Sequence, residues 1–379
     1  MRRAKLVICI LALLVLCAYP VQAQTFDELY REQLEASGGE ALLDALPKET
    51  RELLERLNID SLQADSFTEL DTNSLLGELW ELFKTAAGEP LAACGTVLGI
   101  LLVYAWVDGM RQTLRTEEVS SVFGVICALA ACGSVMMPIA GHLERVSEAM
   151  KSVSVFMSSF VPVYAGILVS GGQLSAAVSF QSIILYAAEL LSWIAGSLIV
   201  PLLSISLALG LTGSLTPELK LGRVGAMTGK AATWILTLGM VLFTGVLSLQ
   251  TFVGGAADKL SDRALRFSIA HFVPVVGGSI SEAFSTIRGC LHLLRSTVGC
   301  FGVVATLIIV LPPMLSCLIW NLMLSVGEMA AELFGLPSFS ELLKTAHGIM
   351  RCLVGVLCVS GLLLTVSLTV ITVAVGGMT

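Results

Sequence analysis

Residues Leu174 to Leu215 read LSAAVSFQSIILYAAELLSWIAGSLIVPLLSISLALGLTGSL, about 40 residues with one ionisable side chain, Glu189. A helix needs ~20 predominantly apolar residues to cross a bilayer. The run is too long for one crossing and about right for two, with Pro201 where a kink is expected. The rest of the chain agrees with a membrane protein. Of 379 residues, 55% are hydrophobic and 13% charged, against about 45–50% and about 25% in soluble domains. Mean hydropathy is +0.87. Too few polar groups exist to cover a water-facing surface.

Working outward from that run, a third apolar stretch, Val153 to Ser170, precedes it, interrupted by Pro162 and closed by Gly171-Gly172. Further back lie a loop at His142–Ser152, a second span at Val119–Gly141, a charged loop at Asp108–Glu118 and a first span at Leu91–Val107. On the other side come a loop, Pro217–Lys230, and a span, Ala231–Val253. A mixed stretch, Asp258–Arg295, is next. Val298–Val326 carries Pro312-Pro313 and reads as one broken helix or two. Glu328–Arg351 is amphipathic, and Leu353–Val375 is the last span. The expected fold is all-α: a polytopic bundle of about seven to nine transmembrane helices with proline-broken spans.

At the N-terminus, Arg2, Arg3 and Lys5 precede an apolar Leu6–Tyr19, then Pro20 and Val21-Gln22-Ala23. That order predicts a secretory signal peptide over 1–23 and export of the segment after it. Residues 24–88 form an acidic, helical segment; from Thr25 to Glu89 there are 16 acidic and 5 basic residues. Its stripe Leu76, Leu79, Trp80 and Phe83 is expected at the membrane surface. So small a segment has little core of its own and is expected to pack on a partner or the membrane. Residues 89–149 then make a two-span hairpin. With the N-terminus outside, Arg111 and Arg115 face the cytoplasm, and so does the basic loop Pro217–Lys230.

The sequence echoes itself. Phe160-Val161-Pro162-Val163 recurs as Phe272-Val273-Pro274-Val275, and Pro201-Leu202-Leu203-Ser204 as Pro313-Met314-Leu315-Ser316, both 112 residues on. Leu247-Ser248-Leu249 returns loosely as Val366-Ser367-Leu368. This predicts two related halves, 150–255 and 262–377. In transporters such repeats bring broken helices together at a midplane site. Glu189 is therefore one candidate functional position, since a charge inside a bilayer is costly. The hinge prolines Pro162, Pro201, Pro274, Pro312 and Pro313 are the others.

Other chemistry finds no support in the sequence. The ten cysteines make no C-x-x-C pair, and the exported segment has none. His142, His271, His292 and His347 form no zinc motif, so no metal or other cofactor is expected. Gly225 to Lys230 (GAMTGK) is one residue short of a phosphate-binding loop and lacks the following Ser or Thr. No basic patch with interleaved aromatics exists, so nucleic acid is not an expected partner.

Several stretches together resemble one family, stage III sporulation protein AE of endospore-forming bacteria. They are Phe160-Val161-Pro162 running to Gly171-Gly172-Gln173-Leu174-Ser175-Ala176-Ala177, Phe267 to Gly277, Ser296 to Val303, and Val366 to Ile371. The resemblance covers nearly all of 90–379. It implies a non-enzymatic, permease-like subunit of a channel-like complex between mother cell and forespore. Its implied partners are the other products of the stage III sporulation A operon, among them an ATPase subunit, and a forespore membrane protein. Its implied place is the mother-cell-derived outer forespore membrane. Two rival readings are a stand-alone secondary transporter coupled through Glu189, and a membrane enzyme acting on lipid or peptidoglycan precursors. The second lacks clustered His, Asp or Ser at helix ends.

Overall fold

A computed structural model describes residues 26–39, 41–57, 59, 72–114, 117–215, 224–225, 227–245 and 277–376. Their regular structure is entirely helical. In chain order we name α1 Phe26–Ala36, α2 Ala41–Asp44, α3 Lys48–Arg56, α4 Thr72–Leu114, α5 Glu117–Ser170 and α6 Leu174–Trp193. A π-helical turn, Ile194–Ile199, joins α6 to α7, Val200–Leu215. Next come α8, Met227–Gly245, α9, Gly277–Leu333, and α10, Pro337–Gly376. The signal segment 1–23 and the Phe272–Val275 echo with Pro274 lie outside the described residues.

Among the described residues, six helical stretches are long and apolar enough to cross a membrane: Leu76–Val107, Leu129–Ser170, Leu174–Gly213, Met227–Gly245, Gly289–Leu333 and Phe339–Thr369. The sequence predicts about seven to nine, and three junctions account for most of the difference. The expected loop at His142–Ser152 is helix, in the middle of α5. Its charges Glu144, Arg145, Glu148 and Lys151 occupy one exposed face. His142, Leu143, Val146, Ala149, Met150 and Val153 occupy the buried one. That is helical amphipathicity, which a charge count mistakes for a loop. His142 packs edge-on against Trp320, with ring centroids 5.9 Å apart.

At the second junction, Leu174–Leu215 is one helical run rather than two. Pro201 has no N–H and its ring crowds the carbonyl four residues back. The chain answers with the wider π turn immediately before it. The inward stripe there steps by four residues, Leu191, Ala195, Ile199, Leu203. In an α-helix each such step drifts about 40°; the wider turn absorbs the drift and keeps the stripe on the bundle. At the third junction, α9 runs through Pro312-Pro313 unbroken. Ile308, Ile309, Cys317 and Trp320 are buried around the pair, so packing supports the turn that lacks two backbone donors. Likewise the aromatic stripe Leu76–Phe83 is no separate surface helix. It is the N-terminal part of α4, which passes through Pro90 into the first span.

Two long hairpins make the frame. α5 and α6 turn at Gly172 (φ 79°), where Gln173 N–H donates to the Leu168 carbonyl at 3.0 Å. α9 and α10 turn at Gly335 (φ 68°), with Leu336 N–H on the Ala331 carbonyl at 3.0 Å. Both turns need a left-handed residue, which glycine supplies without steric cost. The hairpins meet through an aromatic stack: Phe156, Phe160, Tyr164 and Phe180 in succession, with Phe301 edge-on to Phe156 at 6.2 Å. Lipid is as apolar as these side chains, so close packing rather than exclusion of water holds such helices together. Gly302 matters for that reason, because it lets α9 approach the Phe160 ring.

The small N-terminal helices cap the end of the bundle near the Gly172 turn, which we call distal. α1 and α3 pack on α9, and α2 on α5. Tyr30, Leu34, Leu42, Leu54 and Ile59 are buried in the same core as the long helices. The segment that seemed too small for its own core thus borrows one from its own bundle. Tyr30 hydrogen-bonds Thr297 of α9, and burial pushes its phenol above the usual tyrosine range. The opposite, proximal end carries the Gly335 turn.

Candidate functional site

At the proximal end α7, α8, α9 and α10 enclose a cleft of ≈ 1220 Å³. Its walls are set by close backbone approaches. A Cβ on Gly210 of α7 would stand 2.6 Å from Thr345 Cγ2 of α10, and one on Gly225 would stand 3.1 Å from the Ser206 carbonyl oxygen. Buried Ser206 donates its hydroxyl proton to the Gly225 carbonyl at 2.7 Å, and Thr228 donates to the same oxygen at 2.7 Å. These contacts tie the approach to α8 against α7. The far wall of α8 presents Lys230, Thr233, Trp234 and Thr237 at helical spacing, and Thr233 reaches Cys352 Sγ of α10 at 3.8 Å.

α10 supplies the floor. Ser340, Lys344, His347 and Arg351 recur at steps of three or four along one face of the helix. α9 faces them with Glu328 and Glu332. His347 Nδ1 lies 2.8 Å from Glu328 Oε2, and the two side chains are 13% and 18% exposed. Arg351 Nη2 lies 3.2 Å from His347 Nε2, and Ser340 Oγ donates to Glu332 Oε1 at 3.4 Å. A guanidinium has donors only, so His347 Nε2 accepts and Nδ1 carries the proton given to Glu328. Among the described residues, Lys230, Lys344 and Arg351 balance Glu328, Glu332 and Glu341.

In chemical terms this is a vestibule of largely apolar walls into which a few charged side chains project. A hydrolytic triad would aim Nε2 at a nucleophile; here an arginine holds that nitrogen. No group of three or more His, Cys, Asp or Glu able to hold a metal occurs among the described residues.

The positions singled out from sequence lie elsewhere and are not brought together. Glu189 sits on an exposed face of α6, accepting a hydrogen bond from Ser154 Oγ at 3.0 Å. It is 17 residues from Ser206, about 25 Å along the helix. Pro162 is exposed on α5, Pro201 is exposed at the start of α7, and Pro312 and Pro313 are half-buried in α9. Glu328, His347 and Arg351 escaped notice inside an amphipathic stretch. A legible signal was there: Gly335-Leu336-Pro337 combines a helix-ending glycine with a helix-starting proline, which marks a hairpin tip with polar residues on both arms.

The family model for stage III sporulation protein AE matches residues 58–375. Stage III sporulation protein AE of Bacillus subtilis (strain 168) is 24% identical over 196 residues, 52% of this chain and 48% of that protein. The match thus spans about half the length of that curated relative. No solved structure matches. Two of the stretches that carry the resemblance meet in space where Phe160 lies over Gly302, and beside them Gln173 accepts from Arg295 at 3.2 Å.

Proposed function

Because the chain belongs to the stage III sporulation protein AE family, we propose that it is the permease-like membrane subunit of the channel-like complex joining mother cell and forespore during spore formation. The observation that carries this reading is the cleft, a charged vestibule at one end of a bundle of apolar spans. Ionisable groups clustered on otherwise apolar helices support a functional role for the cleft. We assign no reaction to it.

The helices flanking the cleft support a repeat of two hairpins. α6–α7 followed by α8 parallels α9 followed by α10, with Pro201 and Pro313 each in the long first helix. Both hairpins run the same way, which supports a parallel relation of the halves 150–255 and 262–377, with the cleft between the two hairpins' proximal ends. Arg111 near the end of α4 and Lys230 at the start of α8 support a cytoplasmic position for that end. The distal end, with acidic α1–α3 released by cleavage after Ala23, faces the space between the two membranes. There it meets the other operon products and the forespore membrane protein, while an ATPase subunit works from the cytoplasmic side. The membrane is the mother-cell-derived outer forespore membrane.

The test is a mild-detergent pull-down of the full chain from sporulating cells. Recovery of the operon products and the forespore protein is expected. Recovery of the chain alone, with those partners present in the lysate, overturns the assignment. The exposed carboxylate of Glu189 beside Ser154 favours a second reading, a stand-alone secondary transporter. Solute uptake by liposomes containing only this chain, lost in Glu189→Gln, would establish it.

A further inference from the structure

We propose that Glu328, His347 and Arg351 form a proton-binding site in the cleft, where a proton and the Arg351 guanidinium compete for the one lone pair on His347 Nε2. The geometry leaves the imidazole neutral, wedged between a carboxylate 2.8 Å from Nδ1 and a guanidinium 3.2 Å from Nε2. A proton arriving from water bonds to Nε2; no covalent bond breaks and no electron moves. The new N–H then points at a guanidinium N–H, two donors without an acceptor. Arg351 has to leave. The imidazolium stays behind, because Glu328 still accepts from Nδ1 and now opposes a full positive charge.

Among the described residues, the charged groups facing the site are those that line the cleft. α9 supplies Glu328 and Glu332, α8 supplies Lys230, and α10 supplies Glu341, Lys344 and Arg351; α7 contributes the uncharged Ser206. Before protonation three cations face three anions. Afterwards the cleft holds one extra positive charge and a guanidinium free of its partner. Arg351 adjoins Cys352, the thiol that α8 reaches through Thr233, so its release falls at the seam between α8 and α10. Proton uptake thereby changes both the charge and the walls of the vestibule. This deepens the reading of the cleft as a passage and rests on that reading only for its consequence; the proton site itself stands on the three side chains.

The experiment is nitrogen NMR of the full chain in lipid nanodiscs, with histidine and arginine side chains labelled. The His347 signals are assigned by their loss in His347→Gln, and those of Arg351 by their loss in Arg351→Lys. The sample is stepped from pH 8 to pH 5, the range in which histidine side chains change charge, and His347 is followed between its Nδ1–H and doubly protonated forms. The Arg351 signals are expected to shift in step, and that shift is expected to be lost in His347→Gln. An Nε2–H form at pH 8 overturns the proposal. So does a His347 that takes no proton across the range, or an Arg351 signal that stays fixed while His347 protonates. Should either variant fail to fold, His347→Asn and Arg351→Gln serve for the same assignments. Because the readout is spectroscopic, its failure is distinct from a failed recovery of sporulation partners.

Discussion

Gly302→Ala should destabilise the bundle although alanine is the better helix former. The added Cβ would stand 2.6 Å from Cε2 and 3.0 Å from Cε1 of Phe160, and closer still to Cζ. Carbon atoms rest about 3.5–4.0 Å apart, so the ring has to retreat by about 1 Å. It has nowhere to go: Phe156 lies 5.5 Å away on one side and Tyr164 stacks 5.6 Å away on the other, all fully buried. Overpacking of this kind costs about 1–3 kcal/mol. Alanine returns about 0.5–1 kcal/mol of backbone entropy, leaving a net loss of about 1–2 kcal/mol. Reversible denaturant titration of the full chain in detergent micelles, followed by tryptophan fluorescence, measures it. The cycle with Phe160→Leu isolates the clash: the double variant should be more stable than additivity predicts by about 1 kcal/mol or more. A Gly302→Ala chain as stable as wild type, or strict additivity in the cycle, would refute the packing argument.

Contacts at the two ends of the bundle set two further outcomes. Gly210→Ala drives a methyl into Thr345 Cγ2 and should lower the yield of heat-resistant spores; Thr345→Ser, which removes that methyl group, should restore it. At the distal end the raised Tyr30 phenol gives a pH dependence with a definite sign. A group whose folded pKa is raised contributes its full stability below its unfolded value, about 10, and loses it as pH climbs through the folded value. Protease protection of α1–α3 should therefore be flat from pH 6 to 9 and fall only in stronger alkali. Tyr30→Phe should remove that alkaline step and cost about 0.5–1.5 kcal/mol of docking.

The class of fold was legible because apolar runs report directly on the bilayer. Where helices end was less so. At Glu144–Lys151 four charges read as a loop, and only the buried positions between them reveal an amphipathic helix. At Pro201 and Pro312-Pro313 local chemistry predicts breaks that neighbouring helices make unnecessary. Gly171-Gly172 ended α5 as expected, because a left-handed turn is a local demand that tertiary packing does not override. The site was hidden for a different reason. Glu189 drew attention as a charge alone in an apolar run, whereas Glu328, His347 and Arg351 are spread over two arms of a hairpin. Their meeting is a product of the fold, which single-chain spacing does not contain.

α9 has one consequence that belongs to mechanics rather than chemistry. The same uninterrupted rod carries Thr297 beneath the N-terminal helices and Glu328 at the lip of the cleft, 31 residues or about 47 Å apart. Its weakest point in bending is the proline pair near the middle, where two backbone hydrogen bonds are missing. Such a beam behaves as a lever with a compliant fulcrum. A load applied where α1 packs on one arm would reach the other as a displacement, through the rod itself.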